Sequence, residues 1–318
     1  MQDFSFVNDG SERLDVFLAK KTGESRSFIK NQILHGQVQV NSMPVTKVSE
    51  RLKPGDVVSG AFQQEIQTKL EPIAYPLDIL FEDEALVIIN KPQGMVVHPA
   101  PGHRGETLVH YLLHHLEQNR DFLELEKTRP GIVHRLDRGT SGVLVVAKNR
   151  KALEKMALQF KARTLKKIYE AIVWGRTKPE GTIKSALGRH VSDRKKMSSR
   201  TRKSREALTI FKRLMEFPHF SHLEVHPWTG RTHQIRVHLS EAGHPIVGDE
   251  LYATRSLENR KKQLSPMLPT ALETITAPFL HARDLEFTHP LTGRLLRISA
   301  LRPTHFQKFL DLIRGFDK

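Results

Sequence analysis

The stretch from Gly131 to Asn149, GIVHRLDRGTSGVLVVAKN, places a short charged segment directly before an apolar one. The apolar run that begins at Val143 has no polar interruption before Lys148, which is typical of a buried strand. A chain that contains such a run must build a sheet with a covered core. The charged segment puts one carboxylate, Asp137, between two arginines at the mouth of that strand.

Three interpretations of Asp137 follow from these residues. An aspartate beside an arginine at a strand end most often forms an exposed salt bridge. A metal site with His134 is the second, although the histidines between residues 98 and 115 show no HExxH-like spacing, so we expect no metal. The third is a catalytic carboxylate in a pocket, kept ionised by a guanidinium from elsewhere in the chain, because burial alone favours the neutral form.

The charge of the chain points to a polyanionic partner. Its 318 residues carry a formal net charge of +15, which favours nucleic acid, with solubility as the alternative reason for the excess lysine. There is no cysteine, and we predict neither a signal peptide nor a membrane span, because no apolar stretch is long enough. We therefore expect a soluble, cytoplasmic protein without a membrane partner.

Residues 11–62 show a pattern of helix, helix, strand, turn and strand. SERLDVFLAKKTG and SRSFIKNQILHG carry apolar residues with helical spacing, the second between a cap at Ser25 and a stop at Gly36. QVQV and the residues after the Pro-Gly turn of RLKPGDVV predict strands. This unit resembles the small RNA-binding domain first described in the fourth small-subunit ribosomal protein, and a generic α+β cap is the alternative. The resemblance implies RNA contacts from Arg26 and Lys30 on the exposed face of the second helix.

Residues 63–76 are polar, contain two prolines and show no period, which predicts a linker. Residues 77–318 then form one large domain. It mixes strands with helices, among them one capped at Asn149 with Leu153, Met156, Ala157 and Phe160 on one face. No regular βαβ rhythm is present, so the pattern predicts an α+β fold.

Four blocks of the large domain resemble, in order and spacing, those of the RluA/RluD family of pseudouridine synthases: LVIINKPQGMVVHP, RPGIVHRLDRGTSGVLVVAKN, KKIYEAIVWG and TGRTHQIRVHLSEAGHPIVGDELY. With the N-terminal unit in front, the chain looks like the two-domain, RluD-like branch. The resemblance implies a central mixed, largely antiparallel sheet flanked by helices. It also implies isomerisation of uridine to pseudouridine in RNA, most often large-subunit ribosomal RNA, without any cofactor.

The resemblance also assigns roles to single residues. Asp137 matches the catalytic aspartate, and attack on the sugar, attack on the base and action as a base all stay open. Arg135 matches an arginine that contacts RNA near the extruded base, and Tyr169 matches the aromatic residue that stacks on the uracil. Arg236 is the expected guanidinium partner of Asp137, with Arg231 as the alternative and as an RNA contact.

The segment from Arg189 to Arg205, RHVSDRKKMSSRTRKSR, is strongly basic. Such a run is often a solvated loop, but its place between the third and the fourth of these blocks favours phosphate binding. Six of its residues are predicted RNA contacts: Arg194, Lys195, Lys196, Arg200, Arg202 and Lys203.

We expect a monomer that binds RNA and not DNA. A catalytically silent RNA-binding or assembly factor, a tRNA-directed pseudouridine synthase and a metal-dependent RNA hydrolase are the alternative functions.

Overall fold

The computed structural model describes residues 2–62, 70–99, 103, 105–126, 129–193, 195–201, 203–252, 264, 275 and 277–315. The chain divides into two compact units, Met1–Lys69 and Leu70–Lys318. The predicted linker, residues 63–76, falls across this division, and its first seven residues lie outside the described ones. None of the helices described here is long and apolar enough to cross a membrane.

The smaller unit contains the two helices and the strands that its sequence predicts. The Ser25 hydroxyl accepts a hydrogen bond from the Phe28 N–H and so caps the second helix as expected. A strand before residue 11, which the sequence pattern did not reveal, pairs with the last strand over its whole length, and all strand pairs are antiparallel. In chain order the elements are β1 Gln2–Val7, α1 Leu14–Thr22, α2 Arg26–Leu34, β2 Val38–Val40, β3 Met43–Pro44 and β4 Val57–Phe62, with sheet order β1-β4-β2-β3.

The larger unit is built on one sheet that has ten strands in the described residues. Its order is β10-β9-β11-β12-β8-β13-β7-β6-β5, with β14 also paired to β13. Only the β13–β7 pair among these is parallel, which confirms the expected mixed, largely antiparallel sheet. The elements are β5 Ile79–Glu82, β6 Leu86–Lys91, α3 Leu108–His115, α4 Arg120–Leu123, β7 Ser141–Ala147, α5 Arg150–Ala162, β8 Lys166–Trp174, β9 Glu180–Arg189, β10 Met197–Ser198, β11 Arg205–Glu216, β12 Phe220–Pro227, α6 Gln234–Glu241, β13 Leu280–Thr288, β14 Leu295–Ser299 and α7 Thr304–Gly315.

Helices cover both faces of the sheet where β6 and β7 pair. Alternate residues of these strands pack in one direction with α5 and in the other with α3, so every residue of β7 is buried. The helix α5 begins at the predicted Asn149 cap, whose side chain accepts from the Ala152 N–H. Its buried residues are Ala152 and Met156, whereas Ala157, expected on the apolar face, is exposed because the helix turns its other side to the sheet.

A glycine makes the parallel contact between β7 and β13 possible. Gly142 has φ +113°, and a Cβ atom built on it would lie 2.1 Å from the carbonyl oxygen of Ala282. Its neighbour Gly139 leaves a similar close approach to Pro278. The glycines of the GTSG segment therefore set how closely the Asp137 loop approaches the central sheet.

We expect Gly142→Ala to lower the free energy of unfolding by about 3 kcal/mol or more, because it combines an unfavourable φ with a backbone overlap. Gly293→Ala is the matched control, since Gly293 has φ +72° and nothing within 4 Å of its Cβ position. Urea unfolding of both variants checks the difference. Equal losses would mean that the close approach to Ala282 does not contribute.

Candidate active site

Asp137 lies in the irregular loop between Ile132 and the start of β7, as the sequence predicts. Hydrogen bonds fix this loop against the turn that follows β6: the Gly94 N–H donates to the carbonyl of Arg138, and the Gln93 amide donates to that of Gly139. The same turn buries Lys91, whose ammonium donates to the carbonyls of Pro92 and Met95. Burial lowers the pKa of Lys91 to about 7, against the opposing effect of the Asp137 charge.

The carboxylate of Asp137 faces a guanidinium that a second carboxylate holds in place. Arg236 Nη1 lies 3.4 Å from Asp137 Oδ2, while Nε and Nη2 donate to Asp249 at 2.6 and 2.8 Å. Burial opposes the charge of Arg236, but the hydrogen bonds and charge of Asp249, with the charge of Asp137, raise its pKa above the ordinary value. The arginine is therefore a fixed cation beside Asp137, and a single guanidinium group serves two carboxylates.

Two further residues, which the sequence did not single out, lie beside Asp137 and Arg236. His233, at the N-terminal end of α6, has φ +55° and places Nε2 4.0 Å from Asp137 Oδ1. Its Nδ1 lies 2.8 Å from the hydroxyl of Tyr252, whose ring carries the Arg236 guanidinium 5.1 Å from its centroid. Burial lowers the pKa of His233, which favours the neutral ring.

A cavity of about 130 Å³ opens beside Asp137, and we call it the catalytic cavity. Tyr169, from β8, lines it together with Arg135 and Arg231. Burial, with a smaller effect of the Asp137 charge, raises the pKa of Tyr169, so the side chain is a neutral phenol at physiological pH. Arg231 donates from Nε to the carbonyl of Glu206 and is not the arginine that contacts Asp137.

The structure gives His134 a different environment from that of a metal ligand. Its Nε2 accepts the N–H of Val145, and its ring stacks on Phe160. Burial lowers its pKa to about 3, so the ring is neutral. In the described residues, no group of three or more histidine, aspartate or glutamate side chains converges in a way that could hold a metal ion.

The structure describes most, but not all, of the predicted RNA contacts outside the catalytic cavity. Arg26 and Lys30 are exposed on α2, and Arg26 pairs with Asp15 at 2.5 Å. In the basic segment, Arg194 and Arg202 lie outside the described residues. Part of this segment is not a loop, because β10 pairs with the end of β9 and the Met197 N–H donates to the Tyr252 hydroxyl. The other four predicted contacts of the segment, Lys195, Lys196, Arg200 and Lys203, are exposed or half-buried.

The neutral state of His134 predicts a pH dependence of stability. Its pKa in the folded state lies below the ordinary value of about 6.5, so the unfolded chain binds the additional proton, and stability falls as the pH drops through 6.5 toward 3. His134→Gln keeps an acceptor for the Val145 N–H without a titratable ring.

Urea unfolding at pH 7, 6 and 5 should show a steeper loss for the wild type than for His134→Gln, approaching about 1.4 kcal/mol per pH unit of difference. Parallel curves would contradict the buried, neutral state of this ring.

Comparison with known proteins places the chain in a family. A family profile described as RNA pseudouridylate synthase matches residues 85–241, and one described as S4 domain matches residues 12–58. An RNA pseudouridine synthase of Chlorobaculum parvum is 41% identical over 95% of this chain and 94% of its own length. The ribosomal large subunit pseudouridine synthase D of Pseudomonas aeruginosa is 38% identical over 96% and 93%. The chain therefore belongs to the RNA pseudouridine synthase family, as the four sequence blocks predict, and is an isomerase that acts on RNA.

Solved structures agree with this assignment. Human RNA pseudouridylate synthase domain containing 4 is 27% identical, with a TM-score of 0.56 over 74% of this chain and 92% of its own. Human RNA pseudouridylate synthase domain containing 1, at 23% identity, has the same fold with a TM-score of 0.55 over 77% and 97%.

Proposed function

We propose that the chain converts specific uridines of large-subunit ribosomal RNA to pseudouridine, with Asp137 as the catalytic carboxylate and the target nucleotide flipped into the catalytic cavity. The observation that carries this proposal is the position of Asp137 at the cavity, beside a guanidinium that Asp249 holds in place. The sheet and loop contacts described above supply that arrangement without a partner chain, which supports a monomer as the active form.

The reaction exchanges one bond to the ribose for another. The bond between N1 and C1′ breaks, a bond between C5 and C1′ forms, C5 loses a proton and N1 gains one, so no oxidant or other reactant is consumed. An ionised carboxylate can promote this exchange as a nucleophile or as a base. The Arg236 guanidinium, 3.4 Å away, places a positive charge beside this carboxylate.

Base flipping explains the residues around Asp137. A stacked uridine hides both N1 and C5, so the nucleotide must leave the helix, at a cost of a few kcal/mol. Tyr169 offers an aromatic face to the extruded uracil, and its neutral phenol makes this contact without a charge. Arg135 and Arg231, which line the same cavity, are placed to bind the flanking phosphates or replace the lost stacking.

The remaining cations would supply affinity away from the cavity. Arg26 and Lys30 are exposed on α2 of the S4 domain, and the predicted contacts of the basic segment that the structure describes are Lys195, Lys196, Arg200 and Lys203. Linking two weak RNA contacts in one chain raises the effective concentration of each. We therefore propose the S4 domain as an RNA anchor, and Arg194 and Arg202 as further phosphate contacts.

The choice of ribosomal RNA rests on the relatives. The proteins of Pseudomonas aeruginosa and Yersinia pestis, 38% and 34% identical over nearly the full chain, are both named for the large ribosomal subunit. A ribosomal substrate also supports the cytoplasm as the compartment.

We expect Asp137→Asn to reduce the rate of pseudouridine formation by more than about 10³-fold, because it removes the reacting carboxylate. RNA affinity should be unchanged or slightly higher, since the variant loses one negative charge near phosphates. Undermodified ribosomal RNA and transfer RNA are incubated with the wild type or with the variant, without added metal or cofactor. Pseudouridines are then mapped by carbodiimide-dependent primer-extension stops.

Asp121→Asn, at an exposed position on α4, is the matched control and should behave as the wild type. Stops in large-subunit ribosomal RNA that appear with the wild type and vanish with Asp137→Asn support the proposal. Stops confined to transfer RNA would overturn the ribosomal substrate, and stops that persist in Asp137→Asn would overturn the role of the carboxylate.

A further inference from the structure

A second cavity, of about 470 Å³, adjoins the catalytic cavity, and we call it the flanking cavity. It shares with the catalytic cavity the side chains of Arg135, Lys167 and Tyr169 and the segment from Thr229 to Arg231. Its other walls come from the end of α5, the loop after it and Trp228. Whatever enters one cavity therefore lies directly beside the other.

The flanking cavity is positively charged and lacks an internal counter-charge. Its described lining contains no aspartate or glutamate, and none of its basic side chains forms a salt bridge with a described carboxylate. Burial, with the like charge of Arg163, lowers the pKa of Lys167 to about 8, which shows how poorly its charge is compensated. Such a concentration of positive charge fits an anionic ligand. The basic side chains are Arg135, Lys161, Arg163, Lys167 and Arg231.

Trp228 adds an aromatic surface to this charge. Its side chain is 56% exposed, which is unusual for so large an apolar group. The backbone beneath it is held in place, because its N–H donates to the carbonyl of Leu208 and the next residue, Thr229, donates its hydroxyl to Gln234. The exposed indole is therefore attached to a well-fixed backbone at the wall of the cavity.

Gly230 lines both cavities and adds no side chain to the wall that they share. A Cβ atom placed there would have only the Lys167 ammonium within 4 Å, at 3.7 Å. The glycine leaves room for a continuous strand of ligand to pass from one cavity to the other.

We propose that the flanking cavity binds the nucleotide adjacent to the target uridine, with its base stacked on Trp228 and its phosphate between Lys161, Arg163 and Lys167. This inference rests on the proposed entry of the uridine into the catalytic cavity. Extruding one nucleotide removes a stacking partner from its neighbour, and Trp228 replaces that partner. Stacking on an aromatic ring accepts any base, so the cavity binds single-stranded RNA without selecting its sequence.

The first test is direct and needs no turnover. The chain has two tryptophans, and the other, Trp174, is buried against Phe220. The full chain carrying Asp137→Asn is titrated with hexauridylate, and the fluorescence of the exposed indole should be quenched. Neither the same titration of the Trp228→Phe variant nor a hexamer of abasic ribose phosphates should produce this quenching.

The second test separates binding from chemistry. With the RNA that the wild type modifies, Trp228→Ala should raise KM about tenfold and leave kcat within about twofold, because base stacking contributes about 1–3 kcal/mol. Trp228→Phe keeps an aromatic face and should recover most of the loss. Leu123→Ala, which removes a similarly exposed side chain outside both cavities, is the control.

The third test concerns the phosphate. Affinity falls with salt concentration, so the slope of log affinity against log salt concentration is negative. The double variant Lys161→Gln with Arg163→Gln should reduce the magnitude of this slope by about 2. Lys151→Gln with Lys155→Gln removes two exposed charges from the same helix that do not line the cavity, and it should change the slope less.

The outcomes distinguish this inference from the proposed function. Quenching that persists in Trp228→Phe, or an unchanged KM in Trp228→Ala with full turnover, would overturn the flanking site and leave the function intact. Failure of turnover on every RNA, with the hexauridylate quenching lost only in Trp228→Phe, would overturn the function and support the site.

Discussion

The geometry of this site depends on the guanidinium of Arg236, which contacts both Asp137 and Asp249. Asp249 is almost fully buried, and a buried carboxylate without a partner costs several kcal/mol, so its two hydrogen bonds to Arg236 stabilise the fold. Those bonds leave Nη1 directed at Asp137 at 3.4 Å. Asp137 thus lies beside a positive charge whose position another residue fixes.

The sheet brings distant segments of the chain together at Asp137. Asp137 and Arg236 are 99 residues apart in the chain, and Tyr169 belongs to a third segment between them. Because β13 pairs with both β7 and β8, the loop before β7 lies beside β8. The helix α6 packs in the same core cluster as the buried residues of β8. Gly142 permits the first of these pairings, which ties a single glycine to the geometry of the cavity.

Local signals in the sequence predicted local structure well. The caps at Ser25 and Asn149 and the buried run of β7 all follow from residues close to one another in the sequence. Asp249, His233 and Tyr252 were missed because their roles depend on contacts made only after folding, and β1 because its partner is β4, far along the chain. Likewise, β10 forms within a basic segment because β9 and Tyr252 supply partners that charge alone does not reveal.

A double-mutant cycle on Arg236 and Asp249 shows whether the two residues act on Asp137 as one unit. Single-turnover rates of pseudouridine formation would be measured for the wild type, Arg236→Lys, Asp249→Asn and the double variant. A lysine cannot bind both carboxylates in the way a planar guanidinium does, and an amide at position 249 no longer fixes the arginine. We expect each single change to slow the reaction and the double variant to be little slower than the slower single one, because both changes break the same unit. If the two fold-losses in rate multiply in the double variant, Asp249 and Arg236 act independently. That result would contradict a role of Asp249 in fixing Arg236 beside Asp137.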